Sequence, residues 1–228
     1  MIDLWCVRLG ADGPGLARHW SLLSTDEQAR AERFHFAPDR DRWIVARSSL
    51  RRVLALYATT PARKLRFEYG VNGKPSLVNS ASRVSFNLAH SEDLAVIGVT
   101  YECPIGVDVE RIRRMSDAAA LAQRYFDVRE CGAVFADRSK LEERFFACWT
   151  RREALVKALG VGLSFGVDRF AVSVPPNDPP RVLWLADQPD AARYWALSQV
   201  EPASGFIAAV AVRGPSLDVR VRWMSGAC

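Results

Sequence analysis

The residues best suited to chemistry are Asp108 and Glu110, which alternate with valines in Pro104-Ile105-Gly106-Val107-Asp108-Val109-Glu110. In a strand, residues two apart project from one face, so the carboxylates share a side and Val107 and Val109 take the other. Two like charges on one face repel. A hard cation such as Mg2+ relieves that repulsion, binding one or two carboxylates together with water and substrate phosphate oxygens. On spacing alone, however, a solvated strand end is the favoured reading. A second constellation is Trp149-Thr150-Arg151-Arg152-Glu153-Ala154-Leu155-Val156-Lys157. On a helix, Trp149, Glu153 and Lys157 fall near one face. They are either a docked aromatic beside a surface ion pair, or a third carboxylate for metal or proton abstraction with a lysine for phosphate. A third is Phe86-Asn87-Leu88-Ala89-His90-Ser91, where His90 leaves a strand-like run beside a serine, in a loop position that often carries function. Upstream, Asn72-Gly73-Lys74-Pro75 offers a flexible turn and a lysine. Neither a P-loop nor a dinucleotide-binding glycine pattern occurs.

These groups need elements to hold them. Ile2–Leu9 reads as a strand, and Ser24-Thr25-Asp26-Glu27 as a capping box opening a helix towards Phe34. Pro38 suits the first turn of a longer helix through Trp43, Val45, Leu50, Val53, Leu54 and Tyr57, with Arg42, Arg47, Arg51 and Arg52 on its other face. Phe67–Tyr69, Val84–Leu88, Leu94–Thr100 and Ile105–Glu110 read as strands. Helical patterning runs from Asp117 to about Phe135 and again from Leu141 to Leu159, where Gly160-Val161-Gly162 ends it. Five further strand-like runs follow: Phe170–Val174, Arg181–Leu185, Tyr194–Val200, Phe206–Val212 and Val219–Met224. Each half thus carries helices followed by strands, which predicts an α+β protein of two similar lobes meeting near residue 105.

The chain has 228 residues, enough for a sizeable core, and a net charge of +5. Of its 31 basic residues only Lys64, Lys74, Lys140 and Lys157 are lysines. Arginine suits bidentate phosphate or carboxylate contacts, although a coding bias towards arginine would give the same skew. Cys6, Cys103, Cys131, Cys148 and Cys228 are scattered with no C-x-x-C pair, which favours a reducing compartment and argues against zinc. The N-terminus lacks the pattern of a secretory signal, and no apolar run is long enough to span a membrane.

Taken together and in order, these segments resemble the surfactin-synthetase-type 4'-phosphopantetheinyl transferases. That family carries a Gly-(Ile/Val)-Asp element, a gap of somewhat over forty residues, then a Trp/Phe-led helix ending in Lys-Glu-(Ala/Ser)-x-x-Lys. Here these are Gly106–Glu110 and Trp149–Lys157. The upstream signatures appear as Gly73-Lys74-Pro75 and Phe86–Ser91, and Gly160–Phe165 is similar to the family's continuation of the helix.

The resemblance implies two pseudo-symmetric α+β lobes, residues 1–104 and 105–228, with the site in the cleft between them. It implies transfer of 4'-phosphopantetheine from coenzyme A to a serine of an acyl or peptidyl carrier protein, with Mg2+, releasing adenosine 3',5'-bisphosphate. Asp108, Glu153 and Glu110 would hold the metal; Glu153 would also take the serine proton, and Lys157 would contact the phosphates. Arg30, Gly73, Lys74, Pro75, Ala89, His90 and Ser91 would flank the nucleotide end, with the 3'-phosphate near Lys74 and His90. A cytoplasmic monomer is expected, with no nucleic-acid or membrane partner. Two departures stand out. Arg152 replaces the usual Lys before the Glu, and Ala89 replaces the usual Ser before His90; both are expected to alter affinity rather than abolish activity. A non-catalytic relative that binds coenzyme A or a carrier would not need all three acids. A metal-dependent nucleotide phosphohydrolase would release product from coenzyme A without any carrier.

Overall fold

A computed structural model describes residues 1–10, 13–78, 83–162, 166, 168–174, 179–186 and 190–224. Cys228, and Leu163–Phe165 of the Gly160–Phe165 continuation, lie outside the described residues. Strand β1, Ile2–Arg8, sends Ile2, Leu4 and Cys6 to one face and Val7 to the other, and both faces are buried. It sits inside a four-stranded sheet with β4 (Val84–Ser91), β5 (Leu94–Tyr101) and β11 (Val219–Trp223). The order is β11-β1-β5-β4, with β11 parallel to β1 and the other pairs antiparallel. The last strand thus returns to the first. A second sheet has the order β6-β10-β9, formed by Ile105–Arg111, Phe206–Arg213 and Trp195–Val200.

The sheets pack face to face. Ile2, Leu4, Leu94 and Val96 meet Ile105, Val107, Val109 and Val210 in one apolar cluster. The outer face of the first sheet, with Val7, Phe86, Ile97 and Val99, packs on helix α3, Ala37–Ala55. The outer face of the second, with Ile207, Ala209 and Ala211, packs on helix α6, Leu141–Leu159. Alternation in β6 therefore does what its sequence demands. Val107 and Val109 enter the core between the sheets, and the even-numbered residues face α6.

Helix α2, Thr25–Ala31, starts where the capping box places it, with the Ser24 N–H donated to Glu27 Oε2 at 3.0 Å. Four features depart from the sequence reading or add to it. Arg47 and Arg51, on the face of α3 opposite its apolar stripe, are both buried and both pair with buried Glu27. Arg51 also donates to the carbonyls of Ala62 and Leu65 at 2.9 and 3.0 Å. A buried arginine needs such partners, and α2 supplies the charge. The stretch after Asp117 forms two helices, α4 (Ala118–Tyr125) and α5 (Val128–Phe135), because Asp127 and Glu130 make a fresh capping box at the break. Helix α1, Gly13–Ser21, was hidden by its two glycines. Strand β4 continues through His90 and Ser91, so these residues lie on a strand and not in a loop.

Candidate active site

Helix α6 can lie directly against β6 because Gly106 has no side chain. A Cβ there would stand 2.0 Å from Ala154 O and 2.4 Å from Ala158 N. The close approach brings Lys157 Nζ to 2.6 Å from Asp108 Oδ1. The other oxygen, Asp108 Oδ2, is buried with no hydrogen-bond partner among the described residues. Burial pushes Asp108 up to about 7; Lys157 opposes this, and the negative charges of Glu153 and Glu110 add to it. Burial also raises Glu153, against the pull of Lys157 and Arg152 and with a push from Glu110. Three carboxylates from two elements therefore sense one another.

Strands β4 and β6 run side by side without a shared ladder. At the two ends of β6, Arg213 N on β10 donates to Pro104 O and Ile112 N donates to Gly205 O, so the backbone groups of the odd-numbered β6 residues point to the other edge. Side chains from the first half of the chain occupy that edge. Asn87 Oδ1 accepts Val107 N–H at 2.8 Å, and Ser91 Oγ accepts Arg111 N–H at 3.2 Å while donating to Glu110 Oε2 at 2.8 Å. The hairpin of β2 (Phe67–Tyr69) and β3 (Pro75–Leu77) adds Lys74, whose Nζ donates to Ile105 O at 2.8 Å and Lys157 O at 2.6 Å. Beside it, Asn72 Nδ2 donates to Gly160 O at 2.8 Å.

A cavity of about 340 Å3 lies where hairpin, β4 and α6 meet, lined in part by Lys74, Pro75, Asn87, Glu153, Lys157 and Gly160. Of the expected site residues, Gly73, Lys74, Pro75, Glu153 and Lys157 line it. Asp108 and Glu110, on β6, do not line it, and Asp108 is joined to it through Lys157. His90 is exposed on the opposite face of β4 from Asn87, with Lys157, Glu110 and Arg42 within electrostatic reach. Ala89 is buried in the core between the sheets. Arg30 is exposed, its guanidinium 5.5 Å over the Trp43 ring.

Trp149 belongs to an aromatic cluster with Tyr125, Phe126 and Phe145. Arg152 is buried, donates to Glu130 Oε2 at 2.6 Å and to Phe170 O at 3.2 Å, and stacks 4.1 Å over the Phe170 ring. Its place is the core of the second half. Asn72 and Asn87 were not assigned a site role in the sequence, and both line the cavity. A polar side chain in an apolar strand, as at Asn87, is the signal that could have found the second.

Among the described residues, no group of three or more His, Cys, Asp or Glu side chains stands ready to hold a metal ion. Lys157 now engages Asp108 and Ser91 engages Glu110, each consuming one carboxylate oxygen. The donor set nevertheless fits a hard cation, being all carboxylate and including the buried, unpartnered Asp108 Oδ2.

Comparison with known proteins shows the family to which the chain belongs. Residues 104–211 match the family described as the 4'-phosphopantetheinyl transferase superfamily, and residues 14–102 match the 4'-phosphopantetheinyl transferase N-terminal family. The 4'-phosphopantetheinyl transferase HetI of Nostoc sp. is 34% identical over 217 residues, covering 93% of this chain and 88% of that protein. The 4'-phosphopantetheinyl transferase psf-1 of Bacillus pumilus is 32% identical over 150 residues, 65% of this chain and 63% of its own. The 4'-phosphopantetheinyl transferase Sfp of Bacillus subtilis is 26% identical over 156 residues, 68% of each.

Proposed function

The chain belongs to the 4'-phosphopantetheinyl transferase superfamily, and from that premise we propose how its residues divide the work. It is an enzyme that transfers phosphopantetheine from coenzyme A to carrier proteins. In our reading the serine hydroxyl of the carrier attacks the β-phosphate of coenzyme A, and adenosine 3',5'-bisphosphate leaves.

Asp108, Glu110 and Glu153 would hold Mg2+, which when bound supplies charge neutralisation at the phosphate oxygens. Glu153, whose carboxyl burial raises above the ordinary range, takes the serine proton; a base nearer neutrality suits that task. Lys157 releases Asp108 and turns its ammonium to the phosphates, balancing acids that would otherwise repel an anionic substrate. The nucleotide end would lie along the turn at Gly73, Lys74 and Pro75, with His90 towards the 3'-phosphate and Arg30 as a further basic contact to coenzyme A. The single observation that carries this reading is the Asp108–Lys157 contact at 2.6 Å beside a buried, unpartnered Asp108 Oδ2.

The two halves, 1–104 and 105–228, act as lobes of one site, so a monomer suffices. Among the described residues no helix is long and apolar enough to cross a membrane. We place the reaction in the cytoplasm, with a carrier protein and no nucleic acid as partner.

The test is direct. The protein is incubated with coenzyme A, Mg2+ and an apo carrier, and the carrier is weighed by mass spectrometry. The expected result is a carrier heavier by one phosphopantetheine, lost in Asp108→Ala and Glu153→Ala variants that remain folded. Near-normal turnover in both variants would remove the metal assignment. An unmodified mass across several carriers would favour a non-catalytic binding protein.

A further inference from the structure

Lys74 was expected at the nucleotide end, yet two of its three ammonium N–H donors are committed to backbone carbonyls of the second half of the chain. One goes to Ile105 O at the start of β6 and one to Lys157 O in the last turn of α6, contacts 31 and 83 residues away in sequence. A helix leaves its last carbonyls without intrahelical donors, and a cation there also meets the negative end of the helix dipole. At this terminus Gly160, in the left-handed conformation at φ 72°, returns its N–H to Val156 O. The carbonyls of Lys157 and Gly160 are instead served from across the junction, by Lys74 and Asn72. The Asn72 side chain also lies where a Cβ on Gly162 would meet it, at 3.4 Å.

These two donors sit on one turn of the β2–β3 hairpin. They grip the turn of α6 whose Lys157 side chain reaches Asp108, and the grip forms one wall of the cavity. We propose that Lys74, assisted by Asn72, is a positioning residue that clamps the end of α6 onto β6 and so sets Lys157 and the cavity wall for substrate. The proposal rests on the transferase reading for the role of Lys157, but the clamp itself is independent of it. Burial pushes Lys74 down to about 8, as befits an ammonium taken from water without a carboxylate partner among the described residues.

The test compares the full-length protein with Lys74→Met and, as a milder change at an exposed position, Asn72→Ala. Amide hydrogen exchange is followed by mass spectrometry in peptides covering the end of α6. Turnover of an apo carrier is measured with coenzyme A and with 3'-dephospho-coenzyme A. The clamp predicts exchange in the last turn of α6 faster by roughly tenfold in Lys74→Met and by a smaller factor in Asn72→Ala. It predicts that kcat falls by similar factors with both substrates. A ligand to the 3'-phosphate would instead raise KM for coenzyme A alone and leave exchange unchanged. Either unchanged exchange at the end of α6 or a loss confined to coenzyme A overturns the proposal. A wild-type protein inert towards every carrier would sink the transferase reading, while the exchange comparison would still decide the clamp.

Discussion

Ser91 Oγ donates to Glu110 Oε2 at 2.8 Å and at the same time accepts the Arg111 N–H at 3.2 Å. A side chain on β4 thus fixes the carboxylate of one residue on β6 by holding the backbone of the next. The two strands share no ladder, so this serine and Asn87 supply the register that backbone pairing would otherwise give. Glu110, like Glu153, is partly exposed whereas Asp108 is buried, so it gains from being held.

Ser91→Ala should free Glu110 without touching Asp108. Groups that orient metal-binding carboxylates are commonly worth 10- to 100-fold in metal affinity. We expect the Mg2+ concentration for half-maximal turnover to rise by on the order of tenfold, with KM for coenzyme A little changed and Ser91→Thr restoring most of the loss. Titrating turnover against Mg2+ checks it; an unchanged midpoint would show that the Ser91 hydroxyl does not orient a metal ligand.

Glu27 governs stability far from the chemistry. It is buried against Arg47 and Arg51. Glu27→Gln would leave two buried guanidinium groups short of their charge partner, a loss of about 3–5 kcal/mol. At roughly 2–4 °C per kcal/mol for a chain of this size, the drop in Tm is easily read by thermal unfolding. Its acid dependence has a definite sign. Burial by itself would raise the Glu27 carboxyl, but the Arg51 hydrogen bond and the Arg47 charge together hold it below its ordinary 4.5. A depressed carboxylate contributes stability that is complete above the unfolded value and lost as pH falls through the folded one. The wild type should therefore lose stability more steeply than Glu27→Gln below about pH 4.5, and the two curves should converge. Parallel curves would show that the pair carries no linkage.

Arg152 occupies the position where relatives were expected to carry a lysine. Its guanidinium serves Glu130, Phe170 O and the Phe170 ring at once, a geometry that an ammonium reproduces only in part. Arg152→Lys should cost about 1–3 kcal/mol of unfolding free energy while kcat/KM for coenzyme A stays within about threefold. Denaturant unfolding and steady-state kinetics on one preparation decide it. A selective loss of coenzyme A affinity at unchanged stability would return Arg152 to the site.

The sequence carried the site's elements well and its junctions poorly. Helix α6 was legible to both ends because its apolar period is helical and Gly160 terminates it, and β6 because valines alternate with acids. What failed depends on partners distant in the chain. The burial of Arg47 and Arg51 could not be read from α3 alone because their counter-charge, Glu27, lies on a different helix. Asn87 and Ser91 gave no sign of their contacts because β4 meets β6 through side chains, whose register no local pattern encodes. His90 seemed to leave a strand because the apolar run stops at Leu88, whereas β5 pairs with β4 through Ser91.

Gly106 is the residue on which the junction of β6 and α6 depends most directly. The atoms that an added methyl would meet, Ala154 O at 2.0 Å and Ala158 N at 2.4 Å, belong to helix backbone and cannot rotate away. Gly106→Ala must therefore move α6 outward, and Lys157 and Glu153 move with it. Overpacking of this kind costs about 1–3 kcal/mol. The catalytic effect should be larger, because displacement of about 1 Å at a reacting constellation can cost on the order of a hundredfold in rate. The expected outcome is a folded variant with a Tm lower by several degrees and kcat reduced by about two orders of magnitude. Carrier modification and thermal unfolding, measured side by side, check both halves. Full activity in a destabilised variant would mean that the spacing between β6 and α6 matters for packing alone and that the acids are not set by it.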